Sequence, residues 1–413
     1  MKKVYSLIAV ALMFSLFNCQ LFAAKTAEQA YQNIFDEKIK LKNLEKLFAK
    51  SFLDQVPANK IVEIVAIYKN SLGNFKSLDT STSPYILKFE KGKAASRIGF
   101  DKEGKISTLW FGAPEVTDDN LDSVLKLFKE MPGKVSVCLT LNNQKKLIDM
   151  NSNTPMAIGS AFKLFLLRAL SDSVAAGTHS WDEVIKLKSS WKSLPSGMLQ
   201  DWPDNSSVTL QTLANLMISI SDNTATDHIF NLIGRVKLHE IFPESCKPVF
   251  NTSEMFKLKL FYPELGEKFI KSESSEKLKI LNALENKEIT LDGKTIKMIQ
   301  EWKKPVKINE LEWHLSTDDL CKTIFSLKNN QAIQINPAHG IVDKKNWQTV
   351  GFKGGSEPGV LNYTWVLQPL DSEDFYCLSC TINNAKEPVD NSDIGFDSAV
   401  IRLINLIKNK KIN

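Results

Sequence analysis

Ile158-Gly-Ser160-Ala-Phe-Lys163-Leu-Phe-Leu-Leu167 places a serine and a lysine three residues apart at the start of an apolar run. On a helix those two positions share a face, so the lysine nitrogen can approach the serine hydroxyl. An activated serine nucleophile needs that arrangement. Two more Ser-x-x-Lys tetrads, Ser189–Lys192 and Ser274–Lys277, sit in polar, charged stretches. A lysine there is solvated and keeps its proton. Only the Ser160 copy lies among Ile, Phe and Leu, where burial lowers a lysine pKa.

The chain around it has 413 residues, enough for two domains. Apolar content of 43% and charged content of 24% are ordinary globular values. The net charge of +5 comes from 52 basic and 47 acidic residues. It is too diffuse to indicate a nucleic-acid partner. Lys2-Lys3, apolar Val4 to Phe17 and small Ala23-Ala24 predict a secretory signal peptide over residues 1–24. A periplasmic or secreted protein follows. The apolar run is too short for a bilayer, and no later stretch fits a membrane helix. No transmembrane anchor is therefore expected after signal removal. Cys19 offers a lipoprotein alternative, which the bulky Leu16-Phe-Asn18 before it disfavours.

Beyond the signal stand Cys138, Cys246, Cys321, Cys377 and Cys380, an odd number in a large chain. A disulfide framework is not expected. Cys377-Leu-Ser-Cys380 has redox-motif spacing but lies in a strand-like run. Positions i and i+3 of a strand point to opposite faces, so buried structural cysteines are the better reading. The histidines are scattered and no cluster has metal spacing, so neither a metal nor a cofactor is expected.

Residues 25–115 begin with helical periodicity at Ala27 to Phe35, Leu41 to Val56 and Ile61 to Leu72, the last with Asn59 as a cap. Strand-like Phe75 to Thr80, Tyr85 to Glu90, Ala94 to Phe100 and Ile106 to Phe111 follow. Helices followed by an antiparallel meander give an α+β domain. Its element order resembles the steroid-isomerase-like (NTF2-like) domains, and it contains no nucleophile–base pair. Residues 116–133 read as a linker with a short helix, Leu121 to Phe128. From residue 134 to 413 strands stand at both ends, with helices between. Val135 to Leu141 and Lys145 to Asp149 predict a hairpin turning at Asn142-Asn143. Val350 to Lys353, Leu361 to Leu367 and Phe375 to Ile382 predict strands near the C-terminus, closed by a helix from Ser398 to Ile407. The solution is one antiparallel sheet joining the two ends, with a helical lobe against it and a site in the groove between them.

Ser160-Ala-Phe-Lys163, Ser221-Asp-Asn223 and Lys353-Gly-Gly355-Ser356 occur in that order, the last on a strand. This set resembles the S-x-x-K, S-D-N and K-T-G motifs of the serine β-lactamase and penicillin-binding-protein superfamily, with class A β-lactamases nearest in spacing. The resemblance covers Lys134 to the C-terminus. It implies that Ser160 is the nucleophile of an acyl-enzyme and that Lys163 helps to remove its proton. Ser221 would bridge Ser160 and Lys353 and pass a proton to the leaving group. Asn223 would hold Lys163 and the substrate amide, and Lys353 would attract an acidic substrate. The N–H groups of Ser160 and Ser356, beside Gly354 and Gly355, would form the oxyanion hole.

Two departures qualify the match. No glutamate after Ser221-Asp-Asn223 carries the E-x-x-L-N pattern of the class A deacylation base. Asn251-Thr-Ser-Glu-Met-Phe256 stands in its place, where Ser253 or Glu254 lines the site or Thr252 or Ser253 caps a helix. K-T-G has also become Lys-Gly-Gly, which loses the threonine hydroxyl that binds a substrate carboxylate. Both departures resemble a subgroup that joins an isomerase-like domain to a class A-like domain without the deacylation glutamate. One member, from the clavulanic acid pathway, has weak esterase activity. The expected function is an exported serine acyl-hydrolase, esterase-like or slowly processing β-lactams, whose partner is a small-molecule acyl substrate. The alternatives are a true class A-type β-lactamase with a non-standard deacylation base, and a non-catalytic penicillin-binding receptor.

Overall fold

The computed structural model describes residues 26–36, 41–112, 114–285, 287, 289, 293–338, 341–389 and 394–412. The expected signal segment, with Cys19, lies outside them. Contacts divide the chain into two compact units. The first comprises Leu125 and the described residues before it, together with Asp397–Leu406. The second comprises Lys126–Phe396 and the residues after Leu406.

The first unit starts with helices α1 (residues 26–34), α2 (Leu41–Glu45), α3 (Lys50–Leu53) and α4 (Ala58–Leu72). Strands β1 (Phe75–Asp79), β2 (Tyr85–Phe89), β3 (Gly92–Phe100) and β4 (Ile106–Phe111) follow, paired in that order, and β5 (Glu115–Val116) pairs with β3. Helix α5 (Leu121–Glu130) comes next. The helices-then-meander expectation holds at the level of elements. The single helix expected over Leu41 to Val56 is instead two short ones. Phe48 bridges to Ile106, and Ile106 N–H donates to Leu47 O, so the chain leaves the helix to pair with β4. Helix α4 begins behind Pro57 rather than at an Asn59 cap. It ends at Gly73, whose φ of +76° suits a residue without a Cβ. Tyr31, Phe35, Tyr68, Phe75, Phe89 and Phe111 form an aromatic core with ring centroids 5.1–6.4 Å apart.

The second unit is built on a five-stranded antiparallel sheet ordered β12-β13-β14-β6-β7. The N-terminal hairpin is β6 (Lys134–Leu141) and β7 (Lys145–Met150), with Asn142 and Asn143 both at positive φ. Short β8 (Met156–Ala157) leads to a 3₁₀ turn, Gly159–Phe162, and to α6 (Lys163–Ala175). Next come β9 (Val184–Lys186), β10 (Ser207–Thr209), α7 (Leu210–Ser219), α8 (Asn223–Ile233), α9 (Arg235–Ile241) and α10 (Thr252–Phe256). A π-helical turn, Lys257–Phe261, precedes α11 (Pro263–Lys271), α12 (Ser274–Leu284) and α13 (Gly293–Gln300). The chain then forms β11 (His314–Leu315), which pairs with β8, and α14 (Thr317–Ser326). It returns to the sheet in β12 (Trp347–Glu357), β13 (Val360–Pro369) and β14 (Tyr376–Asn383), and ends in α15 (Ile394–Lys408). The sheet thus joins the two ends of this region, as the element pattern predicts.

Strand β13 is buried along its whole length, which fits its mostly apolar and β-branched sequence, and its buried Asn362 is hydrogen-bonded to Thr381. Cys138, Cys246, Cys321, Cys377 and Cys380 are buried free thiols. Burial pushes the Cys377 thiol up to about 12 and raises those of Cys321 and Cys380 well above the usual thiol range. The Cys377/Cys380 pair is structural, as its strand setting implies.

Within the first unit Arg402 holds Asp119 by two bonds, Nε to Oδ2 at 2.8 Å and a guanidinium nitrogen to Oδ1 at 2.5 Å. Both side chains are under one-tenth exposed. Asp119→Ala leaves a buried guanidinium unpaired, which costs roughly 3 kcal/mol. The urea midpoint of the full chain, followed by near-ultraviolet circular dichroism, is expected to fall accordingly.

Candidate active site

The Ser160 turn enters α6 through a local constraint. Gly159 has φ +50°, and Ile158 N–H donates to Trp313 O at 3.2 Å. Phe162 stacks on Trp313 with centroids 3.8 Å apart and planes 4° from parallel, while Trp313 Nε1 donates to Phe250 O. Ser160 is half-buried, on a 3₁₀ turn rather than in the regular helix the periodicity suggests. Among the described residues no hydrogen bond engages its hydroxyl.

Lys163, at the first position of α6, is fully buried. Its Nζ donates to Ser221 O at 2.7 Å, Ser221 Oγ at 3.0 Å and Asn223 Oδ1 at 2.6 Å. Burial, and then the neighbouring Lys353 ammonium, hold its pKa well below the usual lysine value. Lys353 is also buried, and its Nζ donates to Ser221 Oγ at 3.2 Å. Burial lowers Lys353 to about 7. The Ser221 hydroxyl thus accepts from both lysines, and its own proton remains for a third partner. A neutral Lys163 amine is a proton acceptor, so the arrangement is chemically competent to shuttle protons.

The Ser-Asp-Asn segment works as one device. Ser221 sits at φ +59°, a costly conformation for a serine that surrounding bonds must hold. Asp222 caps α8 through Ala225 N–H, and its other oxygen accepts from Met198 and Leu199 N–H at 2.7 and 3.0 Å. Asn223 accepts from Lys163 and donates to Leu194 O at 2.9 Å. Asp222 and the 194–199 loop are functional supports that the motif reading alone did not assign.

Strand β12 closes the other side. A Cβ on Gly355 would stand 2.0 Å from Ile158 O and 2.6 Å from Ser160 N, and one on Gly159 would stand 3.0 Å from Ser356 N. The backbones bearing the Ser160 and Ser356 N–H groups therefore pass in contact. Lys353 and Gly355 lie on the inward face of β12, and Gly354 on the other, where an added Cβ would meet the Phe352 ring at 2.9 Å. The missing threonine thus has a local cause, since Phe352 fills the space.

The loop replacing E-x-x-L-N differs from expectation. Asn251, not Thr252 or Ser253, caps α10, in a capping box with Glu254. Glu254 is buried, and its carboxylate takes Asn251 N–H at 2.8 Å and Arg235 at 2.5 Å. Its carboxylate is thus engaged by Arg235 and by its own capping box. A carboxylate next to an arginine in sequence-distant packing was not visible in the pattern. Thr252 instead approaches the site, bonding Asp227 through its hydroxyl at 2.5 Å and its N–H at 2.9 Å. Burial raises Asp227 to about 6. Ser253 donates its N–H to Asp227 and lines a cavity of about 400 Å³ with Ser193, Leu194, Phe256 and Phe261. Among the described residues no group of His, Cys, Asp and Glu could hold a metal ion.

Residues 120–300 match the model of the Beta-lactamase enzyme family. Among solved structures the chain is similar to a beta-lactamase from Sphaerobacter thermophilus DSM 20745, at 18% identity over 70% of this chain and 95% of that one, TM-score 0.46. It is similar to PBP-A at 16% identity, over 70% and 95% of the two chains, TM-score 0.47. A beta-lactamase from Francisella tularensis gives 17% identity, 70% and 98%, TM-score 0.46. No curated protein matches. The match to the Beta-lactamase enzyme family model takes in Ser160, Lys163, Ser221 and Asn223. It covers the helical part of the second unit and stops short of β12.

Gly355→Ala must push β12 away from the Ser160 turn. Labelling of Ser160 by a fluorophosphonate is expected to slow about a hundredfold, the scale of losing an oxyanion donor. Stopped-time labelling followed by intact-mass spectrometry measures it.

Proposed function

We propose that the protein is an exported serine acyl-hydrolase that forms an acyl-enzyme on Ser160 and releases it slowly, with small esters or β-lactams as substrates. One observation carries this reading. The buried Lys163 is held by Ser221 and Asn223, and among the described residues no carboxylate accepts a hydrogen bond from it. Acylation has its base and its proton relay. Lys163 takes the Ser160 proton as Oγ attacks the carbonyl carbon, and Ser221 delivers a proton to the leaving group. The N–H groups of Ser160 and Ser356, with Gly354 and Gly355 keeping that edge narrow, stabilise the oxyanion. Among the described residues deacylation has no free candidate in the replaced loop, because Glu254 is committed to Arg235 and Asp227 to Thr252 and Ser253.

Asn223 orients Lys163 and offers its amide toward substrate. Lys353 recognises an anionic substrate without a partnering threonine. Ser253, on the cavity wall, contacts the acyl side chain. The first unit, spanning the region read as an NTF2-like domain, is a structural or docking module joined by the 116–133 linker to the hydrolase domain. The signal segment directs export. No described helix is long and apolar enough to cross a membrane.

The rival reading is a true β-lactamase with an unusual deacylation base. A chromogenic cephalosporin distinguishes the two. The proposal expects a burst of one equivalent and a mass adduct on Ser160, followed by slow release, with neither in Ser160→Ala. Turnover of many per second would overturn it.

The Lys353 pKa of about 7 gives a second test. Its ammonium is present below that pH and lost above it, so attraction of an anion fades as pH rises through 7. KM for a carboxylate-bearing aryl ester is expected to rise several-fold from pH 6 to 8 relative to its neutral analogue, and Lys353→Met should erase the difference. Parallel profiles for both esters in the wild type would exclude this role.

A further inference from the structure

A cluster of charge outside the Ser160 centre has no part in the chemistry described so far. Lys259, in the π-helical turn behind α10, is buried, and its side chain has no solvent exposure. Its Nζ donates to Glu312 Oε2 at 3.2 Å and to Glu357 Oε1. Both carboxylates are buried as well. Isolated burial of three ionisable groups is costly, and such a set survives only when its members pair. Here one lysine faces two carboxylates. The two carboxylates hold Lys259 above its usual pKa even though burial opposes it. Burial, and then the neighbouring Glu312, drive Glu357 well above the usual carboxylate range. Its Oε2 has no hydrogen-bond partner.

The sequence neighbours of these residues give the cluster its meaning. Glu357 directly follows Ser356 at the end of β12. Glu312 directly precedes Trp313 and accepts its N–H at 2.9 Å through the oxygen that does not meet Lys259. Trp313 in turn holds the Ser160 turn, through its carbonyl to Ile158 N–H and its ring on Phe162. Lys259 itself extends the loop that carries Thr252 and Ser253. One ammonium thus ties three separate segments: the strand edge beside Ser356, the turn bearing Ser160, and the loop in the deacylation position. The strand and the turn are already in van der Waals contact at Gly355. A shift of either would open the gap between the two N–H groups.

We propose that Lys259 is a positioning residue for acyl transfer, fixing the spacing between the Ser160 and Ser356 N–H groups through Glu312 and Glu357. The inference rests on the acyl-enzyme reading above. Hydrogen-bond donors that must meet a developing oxyanion tolerate little displacement, and misplacement by an ångström costs about a hundredfold in rate. An apolar side chain at 259 would fill the volume without holding either carboxylate.

The test compares the full-length wild type with Lys259→Met, using fluorophosphonate labelling of Ser160 and steady-state hydrolysis of p-nitrophenyl acetate, below the melting temperature of each protein. The expected result is a loss of about tenfold to a hundredfold in labelling rate and kcat, with KM within about twofold. Lys237→Met, which breaks an exposed pair with Glu240, serves as the unchanged control. If Lys259→Met does not fold, the neutral triple variant Lys259→Met/Glu312→Gln/Glu357→Gln replaces it, because removing all the charges avoids a stranded buried ion. It should show the same kcat-only loss. A folded single or triple variant that labels at the wild-type rate overturns the inference and leaves the acyl-enzyme reading intact. A wild type whose Ser160 does not label overturns both.

Discussion

Two lysine side chains buried around one serine hydroxyl are the constraint to which the second unit answers. An ammonium out of water is costly, and the least costly response is to give up its proton or gather acceptors around it. Lys163 does both. Its three acceptors come from Ser221 and Asn223, and its proton affinity is lowered by burial and by Lys353. The same desolvation that threatens stability makes the amine a base. The strained φ of Ser221 and the Asp222 cap are how the fold keeps those acceptors in place.

Much of this was legible in the sequence. Ser160 and Lys163 stand out because their tetrad is apolar, and Ser221, Asn223 and Lys353 follow by motif order. The structure brings Lys163, Ser221, Asn223 and Lys353 into one hydrogen-bonded group. The antiparallel sheet that joins both ends of the second region was legible too, because turn signals at Asn142-Asn143 and alternating strands are local features. What escaped was long-range. Glu254 looks like an available carboxylate in one dimension, and only the approach of Arg235 shows that it is committed. Glu312 and Trp313 carry no motif, yet they seat the nucleophile turn. The helix expected over Leu41 to Val56 breaks because a strand far along the chain offers Phe48 a partner. In each case a tertiary contact overrode a local pattern.

The two departures from the family motifs have different physical standing. Glycine at 354 is compatible with its surroundings, since Phe352 fills the space a side chain would take. The replaced loop is a rebuilt structure with its own capping box and its own carboxylate, Asp227, engaged from three donors.

The buried thiols carry a consequence for the life of the molecule. While the chain is folded, five sulfhydryls are shielded from solvent, and those whose titration is displaced stand far above neutral pH. Oxidants act on thiolates, so the native protein resists them. An unfolded chain exposes these thiols at ordinary reactivity. In an oxidising compartment unfolding is therefore followed by mixed disulfides and cross-linking, and the return path closes. The working lifetime of this protein outside a reducing environment is then governed by how fast it opens, not by how much of it is open at equilibrium.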